Sequence, residues 1–221
     1  MHNRPLLLGH RGGRGQKEIA ENTFPSFDLA LAQGCDGFEF DVRLSADGQA
    51  VICHDATSDG LEIVDSSASQ LALPLLSKLI DRYQKTAFLD IELKVAGLEG
   101  IVTDLLRKSI PDRGFVVSSF LPEVLETIHR LNAALPLGLI CETEAQFSRW
   151  SQLPASYVIP HHKLLRRNLI SKIKNAGTRV IVWTVNAPAE MKRFANWGVD
   201  GIISDHTERL AITLGQQIEK P

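Results

Sequence analysis

Carboxylates and imidazoles sit in this chain on short apolar runs that would otherwise be buried. The runs are Leu6-Leu7-Leu8-Gly9-His10-Arg11, Phe38-Glu39-Phe40-Asp41-Val42, Val51-Ile52-Cys53-His54-Asp55 and Leu89-Asp90-Ile91-Glu92-Leu93-Lys94. A buried charge is costly unless a partner, metal or ligand compensates it. Glu39, Asp41 and Glu92 supply hard oxygen donors and no thiolate. That set suits one divalent cation, Mg²⁺ or Ca²⁺, with water or substrate completing the shell. Zn²⁺ fits less well, because the histidines lack zinc-ligand spacing. Arg11 offers a planar fork for phosphate oxygens and Lys94 a point charge. His10 and His54 can exchange protons near neutral pH, one as base and one as acid. Such a set of groups makes chemical sense for splitting a phosphodiester.

These residues need a scaffold that brings them together. The chain has 221 residues, 44% of them hydrophobic and 23% charged. That balance provides for a substantial core and suits a single α/β domain over 1–221. A formal net charge of −2 gives no electrostatic case for nucleic acid or an anionic membrane. No apolar run approaches the roughly 20 residues of a transmembrane helix, and the start is too short in apolar residues for a signal peptide. Cys35, Cys53 and Cys141 are scattered, without CxxC spacing, and read as reduced thiols. A cytoplasmic protein without stable membrane insertion is the expectation; the sequence is silent on oligomeric state.

Strand-like runs fall at 5–9, 36–44, 50–54, 87–95, 115–119, 137–141, 156–160, 179–185 and 199–204, with amphipathic stretches between most of them. Phe27, Ala30 and Leu31 repeat at helical spacing behind a cap at Asn22 or Thr23, with Gly34 after them. Leu121–Leu131, Leu169–Ala176 and Ala189–Trp197 also read as helix. The alternation favours a parallel (β/α)8 barrel. Only Ser45 to Gln49 separates the second and third runs, too short for a parallel crossover, and Asp47-Gly48 is a turn signal. The run at 50–54 is therefore an extra strand, hairpinned antiparallel to the second barrel strand. A two-residue turn would pair His54 with Asp41, and a four-residue loop would pair it with Glu39. Either register puts His54 on the carboxylate face, whereas a three-residue loop or a bulge would not. On 36–44 and 89–95 the apolar residues share one face and the ionisable ones the other. That pattern also describes half-solvated strands of an antiparallel sheet. In a barrel it would point the ionisable groups to the axis, near the C-terminal rim.

On these residues the chain resembles the glycerophosphodiester phosphodiesterase family. The matching stretches are His10-Arg11-Gly12, Glu21-Asn22-Thr23, Gly37 to Val42, Asp47-Gly48, Val51 to Asp55 and Ile91-Glu92-Leu93-Lys94. Ser118-Ser119-Phe120, Trp183-Thr184-Val185-Asn186 and Asp200 to Asp205 follow in the same order. The resemblance covers roughly residues 6–210. It implies a TIM barrel that hydrolyses glycerophosphodiesters to glycerol 3-phosphate and an alcohol. It implies His10 and His54 as the acid/base pair and Glu39, Asp41 and Glu92 as ligands of a divalent cation. Arg11 and Lys94 would hold phosphate, and Trp183 with Phe120 would wall the glycerol side.

The chain departs from the family pattern in the loop 13–20, in 56–62 after His54-Asp55, and at Leu73-Pro74-Leu75-Leu76-Ser77. The second departure implies a shortened insertion over the site, which would leave the pocket open to bulky or variable head groups. Two other readings use the same rim carboxylates: a metal-dependent barrel lyase or isomerase of a phosphorylated sugar, and a non-catalytic phosphodiester-binding barrel. The first would more naturally carry a glycine-rich phosphate loop near the last strands, and the second would more naturally have lost a histidine.

Overall fold

The computed structural model describes residues 4–215. The strands are β1 (Leu6–Gly9), β2 (Gly37–Leu44), β3 (Ala50–Ile52), β4 (Thr57–Ser58), β5 (Leu61–Glu62), β6 (Phe88–Leu93), β7 (Phe115–Ser119), β8 (Leu137–Cys141), β9 (Tyr157–Pro160), β10 (Arg179–Val182) and β11 (Gly201–Ser204). The helices are α1 (Phe24–Ala32), α2 (Ala68–Leu71), α3 (Leu76–Tyr83), α4 (Glu99–Lys108), α5 (Pro122–Leu131), α6 (Glu144–Ser148), α7 (Arg167–Asn175), α8 (Pro188–Trp197) and α9 (Thr207–Leu214). Nine strands join in the order β1-β11-β10-β9-β8-β7-β6-β2-β3, and a β1–β2 pairing closes all but β3 into a parallel barrel. This is the (β/α)8 TIM barrel expected from the alternation of elements.

Local chemistry sets the ends of the helices. At the start of α1 the Thr23 hydroxyl accepts from the Ser26 amide at 3.4 Å, with Pro25 in the first turn. At the end of α8, Gly198 adopts φ +81°, the left-handed cap a glycine takes without strain. Between β8 and α6, Thr143 and Gln146 form a reciprocal capping box.

Two apolar layers separate cleanly. Phe38, Phe40, Val42, Leu89, Ile91 and Leu93 point outward into the large core under the helices. Leu8, Phe88, Val116, Ile140, Tyr157, Ile159, Ile181 and Ile203 fill the barrel interior. Around β2 the outer layer is aromatic. Phe38 stacks on Phe27 with centroids 4.4 Å apart, and meets Tyr83 edge to face at 5.0 Å. This packing fixes which way β2 faces, since a one-residue slip would turn its whole apolar set over. At Gly37 a Cβ would lie 1.9 Å from the Phe88 carbonyl oxygen, so β2 and β6 approach there only as glycine permits.

The extra strand is antiparallel to β2 as expected, but its register is not. Leu44 pairs with Ala50 and Val42 with Ile52, so the connection is the odd loop 45–49. The Cys53 amide, rather than His54, donates to the Asp41 carbonyl, at 3.0 Å. The cause is local: Ser45 accepts from Gln49 and caps Asp47, which rounds the loop over five residues. β3 also stops at Ile52, short of 54. The shortened insertion is folded. It comprises the β4–β5 hairpin and α2, and Val51, Ile63 and Leu71 share a small apolar cluster. Among the described residues no helix is long and apolar enough to cross a membrane.

Replacing Phe38 by Ala should remove the centre of the aromatic layer and cost about 3–5 kcal/mol. Urea denaturation followed by fluorescence measures this, and a loss under about 1 kcal/mol would contradict the packing described.

Candidate active site

Parallel pairing of β2 with β6 sets Glu39 beside Asp90 and Asp41 beside Glu92. Because the intervening phenylalanines, isoleucine and leucines face outward, all four carboxylates point into the barrel, and all four are buried. Glu39, Asp41 and Glu92 each present an oxygen within 4.8 Å of the others. One Glu39 oxygen, Oε1, is buried without a hydrogen-bond partner. Four buried acids repel one another, and the pKa values follow that crowding. Burial, then the charges of Asp41, Glu92 and Asp90, pushes the Glu39 carboxyl well above the usual carboxylate range. Burial and Asp41 raise Glu92 to about 7 against the opposing pull of Lys94. Asp41 goes the other way. Burial disfavours its charge, but Lys94 and Arg11 outweigh it and hold Asp41 below its ordinary value.

The cations lie on these acids. Lys94 Nζ donates to Glu92 Oε1 at 2.6 Å and stands 3.2 Å from Asp41 Oδ1. Arg11 donates to Glu21 Oε1 at 2.6 Å, its Nε lies 3.2 Å from Asp41 Oδ2, and its amide donates to Glu39 Oε2 at 3.0 Å. Asn22 donates to Asp41 Oδ2 at 2.9 Å.

The rest of the site comes from strand ends. His10 directly follows β1, Lys94 β6, Phe120 β7, Glu142 β8, Trp183 β10 and Asp205 β11, so each sits at the C-terminal rim. His10 Nδ1 is 2.6 Å from Asp205 Oδ1, and Asn186 donates to Asp205 Oδ2 at 2.6 Å. With Nδ1 donating to that carboxylate, Nε2 is left toward Glu39, 3.8 Å away. Despite burial, the bonds from His10 and Asn186 hold Asp205 far below the usual range. His54 lies past the end of β3, where strand alternation no longer governs direction. Its carbonyl accepts from Arg43 Nε at 2.8 Å, and its Nδ1 is 2.7 Å from Asp55 Oδ1. Phe120 and Trp183 meet edge to face at 5.7 Å, and Trp183 Nε1 donates to the Ile159 carbonyl at 2.9 Å.

One cavity of about 330 Å³ joins them. His10, Arg11, Glu39, His54, Glu92, Lys94, Phe120 and Trp183 all line it, and Asp41 joins them through its cluster with Glu39 and Glu92. Every sequence-derived candidate is therefore brought to one place, and His54 arrives there although its expected register was wrong. Sequence reasoning missed the partners: Asp205 and Asn186 behind His10, and Glu142 on the wall. Two signals were available: Glu142 and Asp205 each follow a barrel strand directly, and Asn186 and Asp205, residues given no role, end two of the family-like stretches.

The model of the glycerophosphoryl diester phosphodiesterase family matches residues 10–94 and 90–209, nearly the whole barrel. The chain belongs to that family. A glycerophosphodiester phosphodiesterase of Caldanaerobacter subterraneus is 28% identical over 236 residues, covering 93% of this chain and 96% of that one. One from Bacillus altitudinis is 28% identical over 239 residues, covering 92% and 95%. Among solved structures, an Oleispira antarctica phosphodiesterase in complex with the product sn-glycerol-3-phosphate superposes with a TM-score of 0.83 at 26% identity, covering 95% and 96%. Membership makes this chain a phosphoric diester hydrolase and sets aside the sugar-phosphate lyase or isomerase reading.

Asp90 gives a pH test of the crowding. Burial raises its pKa from 3.8 to about 7, although Ser118 donates to its Oδ1. A folded pKa above the unfolded one means that folding takes up a proton. The stability contribution is then complete below pH 3.8 and is lost as pH rises through about 7. In EDTA, Asp90→Asn should therefore gain on the wild type between pH 4 and pH 8, by roughly 2–4 kcal/mol. Denaturant midpoints across that range measure it, and a pH-independent difference would contradict it.

Proposed function

We propose that this site hydrolyses glycerophosphodiesters to glycerol 3-phosphate and an alcohol, with a divalent cation bound by Glu39, Asp41 and Glu92 and with His10 and His54 as the acid/base pair. One observation carries the reading: three buried carboxylates converge within 4.8 Å on a cavity whose wall also bears two imidazoles. The site fits a cation on its own terms. The donors are hard oxygens, their crowding raises two of the three pKa values, and Glu39 Oε1 has no partner inside the protein. The names of the relatives and the product held by the Oleispira enzyme support the same substrate class.

When bound, Mg²⁺ or Ca²⁺ supplies charge neutralisation at the phosphate. The chain's own groups do the rest. Arg11 and Lys94 reach the phosphate oxygens from the carboxylate side of the cavity. Both also stand 3.2 Å from Asp41 and hold that acid ionised for a cation. Asp205 holds the His10 ring with Nε2 toward the cavity. One imidazole takes the proton from the attacking oxygen as its bond to phosphorus forms. The other gives a proton to the departing alcohol oxygen as its bond to phosphorus breaks. Phe120 and Trp183 wall the glycerol side.

Release of glycerol 3-phosphate from glycerophosphocholine should vanish with EDTA and return with Mg²⁺ or Ca²⁺. His54→Ala should lower kcat about 10²–10⁴-fold, with the circular dichroism spectrum and cation binding unchanged. Turnover that is insensitive to EDTA, or normal in His54→Ala, would refute the mechanism.

A further inference from the structure

One acidic group in the cavity has no place in the mechanism above. Glu142 directly follows β8, which stands opposite β1 in the strand order, so it faces the catalytic end from the far wall. Ile140, Ile159, Phe120 and Trp183 line the same cavity, and the carboxylate lies near enough to the His161 ring after β9 to favour that ring's charged form. Its backbone is held in place, because its amide donates to Gln146 Oε1 at 2.9 Å and Gln146 also closes the capping box on Thr143. Its carboxylate has no hydrogen-bond or ion-pair partner among the described residues, whereas Arg11 and Lys94 are engaged with acids at the other end. The cavity is thus polarised. A phosphate is attracted to the end with Arg11, Lys94 and the cation cluster and is repelled by Glu142. A carboxylate accepts hydrogen bonds and cannot donate them, so Glu142 asks for a donor on the substrate, and a hydroxyl on a carbon chain lying against the aromatic wall supplies one.

Building on the proposed activity, we infer that Glu142 is a specificity-determining residue that accepts hydrogen bonds from the free hydroxyls of the substrate's glycerol and so selects deacylated diesters. An ether or ester in place of one hydroxyl sets an acceptor against the carboxylate and leaves it unpaired. A site built to bond a hydroxyl discriminates strongly against an analogue without it. Glu142 is exposed at the rim, so the factor is smaller than in a closed pocket. The residue reads the part common to all glycerophosphodiesters and is indifferent to the head-group alcohol.

The test compares glycerophosphocholine with its 1-O-methyl ether, which keeps head group, phosphate and charge. Wild type should prefer the free diol by about 10–100-fold in kcat/KM, chiefly through KM. Glu142→Ala should reduce that preference about tenfold or more, and Glu142→Gln, which retains one acceptor, should recover part of it. The loss in Glu142→Ala should be equal on glycerophosphocholine, glycerophosphoethanolamine and glycerophosphoglycerol. The inference is overturned if the diol preference survives Glu142→Ala, if the variant loses the same factor on diol and ether, or if the loss is confined to the two cationic head groups. Failure of the underlying activity looks different: wild type would then release no glycerol 3-phosphate from any of these diesters.

Discussion

Four carboxylates on two adjacent strands cannot all be charged inside a barrel without help, and most of the site answers that constraint. The register of β2 on β6 places Glu39 next to Asp90 and Asp41 next to Glu92, so repulsion is built into the strand pairing itself. The protein relieves it unevenly. Asp41, held by Lys94, Arg11 and Asn22, stays ionised. Glu39, Glu92 and Asp90 are pushed toward holding protons. A group of acids in that condition has more oxygen lone pairs than the chain itself can satisfy, which favours an external cation.

The outer aromatic layer is the other half of the same arrangement. Burying charge on one face of β2 is tolerable because the opposite face buries Phe38 and Phe40 against Phe27 and Tyr83. Hydrophobic burial of this kind contributes about 1.5–3 kcal/mol per side chain. It sets the facing of the strand, and the facing delivers the carboxylates to the axis. Function at the rim and packing under the helices are therefore properties of a single alternating pattern.

Much of this was legible in the residues. Period-two alternation on 36–44 and 89–95 told which side chains face inward, and short strand-like runs with helical spacers told the barrel. Glu39, Asp41 and Glu92 were readable because burial makes an acid conspicuous on an apolar strand. The hairpin register was not readable. It depends on whether Ser45, Asp47 and Gln49 close a loop of even or odd length, a matter of side-chain hydrogen bonds that Asp-Gly alone does not decide. His54 reached the cavity for another reason, its position beyond the strand. Asp205 behind His10 was hidden because 195 residues separate them, and only closure of β11 on β1 makes them neighbours.

The two imidazoles rest on supports of different stiffness. His10 emerges from a strand paired on both sides and is braced by Asp205, which Asn186 braces in turn. His54 rides on a side arm whose apolar anchor is the small nucleus of Val51, Ile63 and Leu71, separate from the main core. Loosening that nucleus would misalign one imidazole while the barrel stayed intact. Tuning of turnover and tuning of global resilience can therefore proceed through different residues, and drift in the arm need not endanger the whole molecule.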